Sequence, residues 1–232
     1  MPTLLITRFP YQSQLGGEEI HTVNLAKGLI KKGWKIILWT SCAILKEEFN
    51  KNHILHTIYY IPNFPKPPVS KFSLITFTLL SPFIFLYFVF KYFQILKTNN
   101  YELKTIYMMS LGEKLLLTPI IKLYSLFPIP YSRIVWIEHA RIGKWLTSNP
   151  WKIVYKFWSR FVKIICVSKQ STKYLSWAHN VIDIPNGINL KEFNSPQPLS
   201  SKKKGRFKIA TIARLSEDKG IDYLIKAVSN IK

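Results

Sequence analysis

Apolar and polar positions alternate between two periods along this chain. Leu4-Leu5-Ile6-Thr7 forms a short apolar run, and Ile20, Val23, Leu25, Ala26, Leu29 and Ile30 then recur at helical spacing. Ile36-Ile37-Leu38-Trp39 is a second run, and Gly33 stands where a helix C′ residue often takes positive φ. The pattern predicts strand, glycine turn, helix and strand, a βαβ unit that requires a parallel sheet and a right-handed crossover. Further strands are expected at 54–61, 105–109, 133–137, 163–167 and 181–184. Helices are expected at 111–126, from Asn149-Pro150 through Phe161, and at 169–177. The passage from Lys46 to Asn52 reads as polar, and Pro62 to Pro68 as an exposed loop. Beyond a proline-bearing stretch with Lys202-Lys203-Lys204, a new unit is expected: a strand over 208–213, a loop over 214–220 and a helix over 221–231. The reading is α/β, with a first Rossmann-like domain over 1–184, a linker over 185–206 and the start of a second such domain over 207–232.

One segment fits neither period. From Phe72 to Phe90 there is no charged residue, and Lys71 and Lys91 bracket the run. Its length suits a transmembrane span. The strands on either side of it are expected in one sheet, and a single crossing would separate them. Pro82 and the hydroxyls of Ser73, Thr76, Thr78 and Ser81 also argue against a straight span. A helix or helical pair lying on a membrane fits better, with lysines meeting anionic headgroups. A helix buried in the protein is the plain alternative. Lys152, Lys156, Arg160 and Lys163 give the helix after Asn149 a basic side, which is either solvated or turned to a membrane surface.

Composition sharpens this picture in two ways. The 33 Lys and Arg against 12 Asp and Glu leave a formal charge of +21, which favours polyanionic partners: nucleic acid, anionic lipid or phosphorylated substrates. Nucleic acid is the least favoured, since zinc-finger spacing, an RNP-type aromatic motif and arginine-rich runs are all missing. Cys42 and Cys166 sit in or beside apolar strands and read as buried free thiols. His21, His53, His56, His139 and His179 lack metal-ligand spacing, and no signal peptide is recognised at the N-terminus. A reducing, cytoplasmic setting is the default.

Candidate chemistry gathers at turns. Gly16-Gly17 precedes a helix whose first amides favour an anion, and a backbone without Cβ lets a phosphate or sugar come close. A plain tight turn is the competing reading. The pair matches neither the dinucleotide fingerprint nor a P-loop. Glu138-His139 follows the strand over 133–137, at the end where open α/β sheets bind ligands.

Taken in order, Gly16-Gly17-Glu18-Glu19, His139, Val167-Ser168, Ile184-Pro185-Asn186-Gly187-Ile188-Asn189 and Ala213 through Gly220 resemble the family 4 glycosyltransferases. The likeness spans nearly the whole chain. It implies the GT-B fold of two facing Rossmann-like domains, and retaining transfer from a nucleotide sugar without a bound metal or other cofactor. It implies that Gly16 and Gly17 lie against the donor phosphate and sugar or the incoming acceptor. His139 would face the transferred sugar, and Arg214 and Lys219 would hold the donor diphosphate. Fixed cations and helix amides suit a leaving group that gains negative charge. The family's paired glutamates would fall after Lys232, so the donor domain is expected to be incomplete in this chain. The apolar segment suggests a lipid-linked or membrane-bound glycan acceptor, as in cell-surface polysaccharide assembly, and a peripheral place on the inner membrane face. The other reading is a non-catalytic, membrane-associated fragment that keeps acceptor and lipid contacts alone.

Overall fold

A computed structural model of the chain describes residues 1–10, 15–54, 56–61, 64–65, 70–99, 103–126, 132–139, 149–187, 209–213 and 219–229. The chain divides into two compact units, Met1–Gly187 and Ile188–Lys232.

The first unit is built on a seven-stranded, wholly parallel sheet. Its strands are β1 (Thr3–Arg8), β2 (Lys35–Thr40), β3 (His56–Tyr60), β4 (Leu103–Met108), β5 (Arg133–Glu138), β6 (Lys163–Cys166) and β7 (Val181–Asp183), in the spatial order 3-2-1-4-5-6-7. The chain winds outward from β1 to β3, then returns to place β4 on the other side of β1. The carboxyl ends of β1 and β4 therefore border the topological switch point, where such sheets form a crevice.

Each strand feeds two cores because successive side chains point to opposite faces. Leu4 and Ile6 join one cluster with Val23, Ala26, Leu45 and Phe49, under α1 (Gly17–Ile30) and α2 (Ala43–Lys51). Leu5, Ile37 and Trp39 join the other, under α3 (Lys71–Thr98), α4 (Leu111–Tyr124) and α5 (Trp151–Trp158). A one-turn 3-10 segment, Ser159–Phe161, follows α5, and α6 (Lys169–Tyr174) lies between β6 and β7. Cys42 and Cys166 are buried free thiols. Gly33 takes φ +78° and donates its N–H to Ile30, closing α1 as the sequence suggested.

Two segments depart from what the pattern announced. Lys46 to Asn52 is largely helical: Leu45 and Phe49, four residues apart, supply the buried stripe of α2, and the charges between them face outward. In the second unit the described residues of the expected strand, 209–213, carry no strand pairing. The helix expected there forms as α7 (Ile221–Ser229).

The apolar run from Phe72 to Phe90 lies within one unbroken helix, α3, of 28 residues. It is long and apolar enough to cross a membrane by length and composition, with only 22% of its most apolar stretch buried. Yet it links β3 to β4 of the same parallel sheet, so it is part of the body of the domain. Ser73, Phe77, Ile84, Phe88, Tyr92, Ile95 and Leu96 form its inward stripe. Phe72, Ile75, Leu79, Phe83, Leu86 and Phe90 form a second stripe at helical spacing that faces away, with Phe72 79% and Phe90 72% exposed. Pro82 leaves the Thr78 carbonyl without its helical N–H donor, and the Ser81 hydroxyl donates to that carbonyl instead at 2.8 Å.

Length places the first half of α3. A six-residue strand such as β1 spans about 20 Å, whereas 28 helical residues span about 42 Å. The helix ends at Thr98, with four residues between it and the start of β4, so its far end must overhang the carboxyl edge of the sheet. There Phe77 packs edge-on to Trp151 at 5.4 Å, and the Trp151 indole donates to Thr78 Oγ1.

Candidate functional site

The residues singled out at the carboxyl edge do come together, in company the sequence did not announce. Gly16, extended in backbone conformation, caps α1. Its N–H donates to the Glu19 carboxylate at 3.1 Å and its carbonyl accepts from the Ile20 N–H. Gly17 is the first helical residue, and a Cβ built there would meet nothing within 4 Å among the described residues, which leave the approach to the first turn of α1 open. His139 directly follows β5, and its ring meets the His21 ring of α1 edge-on at 4.9 Å. Helix α1 and strand β5 thus present their candidate groups to one crevice.

Both imidazoles are held neutral. Burial lowers the His21 value. His139 is pushed down to about 3 by burial, with His21, Lys114 and Arg8 adding repulsion. A neutral imidazole keeps one donor and one acceptor nitrogen. Its Nε2 is buried and has no hydrogen-bond partner among the described residues, so a polar group remains open to a ligand hydroxyl.

Behind this pair lies a buried ionic layer. Arg8, at the end of β1, forks to the Glu18 and Glu19 carboxylates, the latter at 3.0 Å, and donates to Ser110 Oγ at 3.2 Å. The Phe9 N–H also donates to Ser110 Oγ, so one hydroxyl ties the end of β1 to the N-cap of α4. Burial opposes the charge on Arg8, but Glu18 and Glu19 outweigh it and raise its value. Burial raises Glu18 despite Arg8 beside it.

Glu113, fully buried, accepts from the N–H groups of Met109 and Ser110 at 3.1 and 2.6 Å and from Thr7 Oγ1 at 3.4 Å. Lys114 is 1% exposed and donates to Glu138 Oε1 and to the Ile137 carbonyl, each at 2.6 Å. Tyr155 of α5 donates to the same Glu138 oxygen at 2.8 Å. Two helices, α4 and α5, thereby fix the strand end from which His139 leaves β5.

Glu113 offers a measurable consequence. Burial pushes its carboxyl up to about 7, more than the Ser110 amide and the nearby cations pull it down. The folded state then keeps a proton that the unfolded chain releases near pH 4.5. Stability contributed by this group is present below that value and is lost as pH rises through 7, a total of order 3 kcal/mol. Glu113→Gln should therefore unfold at higher urea than the wild type at pH 8 and lose that advantage at pH 4.5. The two histidines, with lowered values, act in the opposite sense in both proteins, so the paired comparison isolates Glu113.

The remaining calls fall in the second unit. Arg214 lies outside the described residues, as does most of the linker. Lys219 precedes Gly220, which takes φ +61° and whose carbonyl accepts from the Leu224 N–H at the start of α7. Arg8, Glu113 and Lys114 escaped the sequence reading. Ser110 followed three residues later by Glu113 is a capping-box signature that marked one of them, and the box forms.

No protein-family model and no curated protein matches the sequence. Solved structures do match in fold. A glycosyltransferase from Rickettsia africae ESF-5 superposes with a TM-score of 0.55 at 19% identity over 83% of this chain and 45% of its own. Anabaena Alr3699/HepE, solved in complex with UDP and glucose, gives 0.51 at 14% over 83% of this chain and 47% of its own. A UDP-N-acetylglucosamine 2-epimerase gives 0.50 at 10% over 80% and 48%. The chain thus has an α/β Rossmann-like domain of the kind found in GT-B proteins, and spans about half the length of these structures.

Proposed function

We propose that this chain is the acceptor-side domain of a GT-B glycosyltransferase, together with the start of its donor-side domain. The enzyme would transfer a sugar, with retention, from a nucleotide sugar to a lipid-linked or membrane-associated glycan at the inner membrane face. The observation that carries the reading is the crevice at the carboxyl edge: a helix N-terminus at Gly16-Gly17 that the described residues leave open, and a neutral His139, packed on His21 of the same helix, whose Nε2 has no partner among the described residues. Helix amides suit a phosphate or a sugar oxygen, and an uncharged imidazole suits a sugar hydroxyl. Arg214 and Lys219 are assigned to the donor diphosphate on the family likeness, as point charges that stand in for a metal ion.

The test is transfer of labelled hexose from UDP-sugars to the lipid fraction of membranes, using this chain and a form extended through a complete donor domain. His139→Ala should lower transfer by about a hundredfold, the loss typical of one polar group aimed at the reacting centre, and leave UDP binding unchanged. Equal transfer by wild type and variant would remove His139 from the site. A second reading, a membrane-associated module without catalysis, is favoured by the outward apolar stripe of α3; it requires vesicle binding with no transfer by either form.

A further inference from the structure

Helix α5 mixes two kinds of side chain on its outer side. Trp151, Val154, Tyr155 and Trp158 pack on the core. The exposed residues are Ile153, Lys156 and Phe157, continued by Arg160 and Phe161 in the 3-10 turn that follows. These recur at i, i+3, i+4, i+7 and i+8, so apolar and cationic side chains share one outward line. Of the four basic residues expected on this side, Lys152 lies over the Trp177 ring at 5.1 Å and Lys163 opens β6, which leaves two on the line. No acid answers them nearby. α3, α5 and the turn contain no Asp or Glu, and the one acid of α4, Glu113, is fully buried. The helices on the opposite face of the sheet, α1 and α2, carry Glu18, Glu19, Glu47 and Glu48. A second copy of the α3–α5 face would meet it with like charge, whereas an anionic bilayer offers both phosphates and hydrocarbon.

The line ends at a hollow. At the amino edge of the sheet, Lys122, Arg133, Arg160, Phe161, Lys163 and Asn180 contribute to a cavity of about 580 Å³, within the roughly 300–1,000 Å³ of sites for compact ligands. The register sets Lys163 of β6 opposite Val135 of β5, so Arg133 and Lys163 leave the same face with Cα atoms about 8 Å apart. Cations beside a helix end can serve the helix alone. Here Asn180 Nδ2 already donates to the Arg160 carbonyl at 2.9 Å and to that of Ser159 at 3.4 Å. Arg160 is held through Nε, which donates to His179 Nε2 at 3.3 Å. Among the described residues no carboxylate forms an ion pair with Arg133, Lys156, Arg160 or Lys163.

We propose that α5 and its following turn dock the domain on an anionic bilayer. Ile153, Phe157 and Phe161 enter the boundary between headgroups and acyl chains, and the cation-lined hollow beside Phe161 receives a phospholipid phosphate. The proposal rests on the membrane placement given above and adds a contact, separate from the outer stripe of α3, that selects anionic lipid. Phe77 of α3 packs on Trp151 at the start of α5, so both contacts belong to one layer of helices.

The test is co-sedimentation of the full chain with vesicles of phosphatidylcholine alone and of an equimolar mixture with phosphatidylglycerol. Wild type should prefer the mixture. Arg160→Gln with Lys163→Gln should weaken binding to the mixture by about thirtyfold, the worth of two cations near an anionic surface. Lys31→Gln with Lys32→Gln removes the same charge from the exposed end of α1 and should bind as wild type does. Equal losses in the two pairs would reduce the effect to net charge and overturn the site. Glycerol phosphate, a headgroup without chains, should not release the bound protein at concentrations matching the lipid; release would mark a site for soluble anions and overturn the bilayer assignment. A second readout changes no cation. Cys42 and Cys166 are buried, so an environment-sensitive thiol dye reports on an introduced cysteine. On Phe157→Cys it should shift to the blue with mixed vesicles, and on Glu47→Cys, on the opposite face, it should not. No shift at position 157 overturns the proposal, and so does a shift caused by unlabelled protein without vesicles, which would place a second copy on this face. Vesicle binding with these properties in a protein that transfers no sugar would refute the enzyme and leave the surface assigned; sugar transfer without them would do the reverse.

Discussion

Lys114→Met should lower the thermal midpoint by on the order of 10 °C, the largest stability loss expected from one substitution in the first unit. The ammonium is buried at 1% exposure and is shared between the Glu138 carboxylate and the Ile137 carbonyl. Removing it strands a carboxylate whose only other described donor is the Tyr155 hydroxyl. Breaking a buried pair from one side costs about 3–5 kcal/mol, and a chain of this size shifts by roughly 2–4 °C per kcal/mol. Lys114→Met with Glu138→Leu removes both charges and should recover most of the loss, leaving the Tyr155 hydroxyl short of one acceptor. Calorimetry of the single and double variants decides the matter. A single-variant cost below about 1 kcal/mol would mean that water reaches the pair and that it does not fix the end of β5.

The second large effect concerns the outer stripe of α3. Under the membrane reading, Leu79→Glu, Leu86→Glu and Phe90→Glu together should abolish sedimentation with anionic vesicles. These three side chains are exposed and follow one line along the helix. Inserting a large apolar side chain into lipid contributes about 1.5–3 kcal/mol, so three account for a loss beyond a thousandfold. Added carboxylates also repel anionic headgroups. Raising salt should weaken the wild type only in part, because screening acts on the lysine contribution and not on the apolar one. Triple-variant sedimentation equal to wild type would show that α3 does not touch lipid. The variant should stay folded, since its inward residues, Phe77, Ile84 and Phe88 among them, are untouched.

How much of this was legible depends on whether the information was local. Leu4 to Trp39 announced strand, turn, helix and strand because its apolar residues recur at the two characteristic periods with a glycine at each punctuation. The sheet followed from those runs. Helix α2 was hidden because Lys46, Glu47 and Glu48 stand between Leu45 and Phe49, the residues it buries. The apolar run over Phe72 to Phe90 showed its length but not its sidedness. With little polar residue on either side, only the packing against Trp39, Trp151 and Tyr124 separates an inner from an outer stripe. In the site, Gly16, Gly17 and His139 were visible as turn and strand-end residues. The ionic layer beneath them was not, because Arg8, Glu113, Lys114, Glu138 and Tyr155 come from different elements and meet only when the sheet closes.

The two stripes of α3 share one backbone, and this limits what the helix can do. Its inner stripe roofs Trp39 and packs beside Phe9, so it could not sink into a bilayer alone without unroofing the sheet. Any lipid surface it meets must be met by the whole domain, at the shallow depth a side-lying helix reaches, about 5–10 Å. On such a surface the crevice would ride at a fixed height above the headgroups, set by a rigid strut rather than a tether. Under the proposed membrane-bound transferase reading, acceptors with a short reach would be favoured, and inserting one turn into the overhang would change the spacing between lipid and crevice.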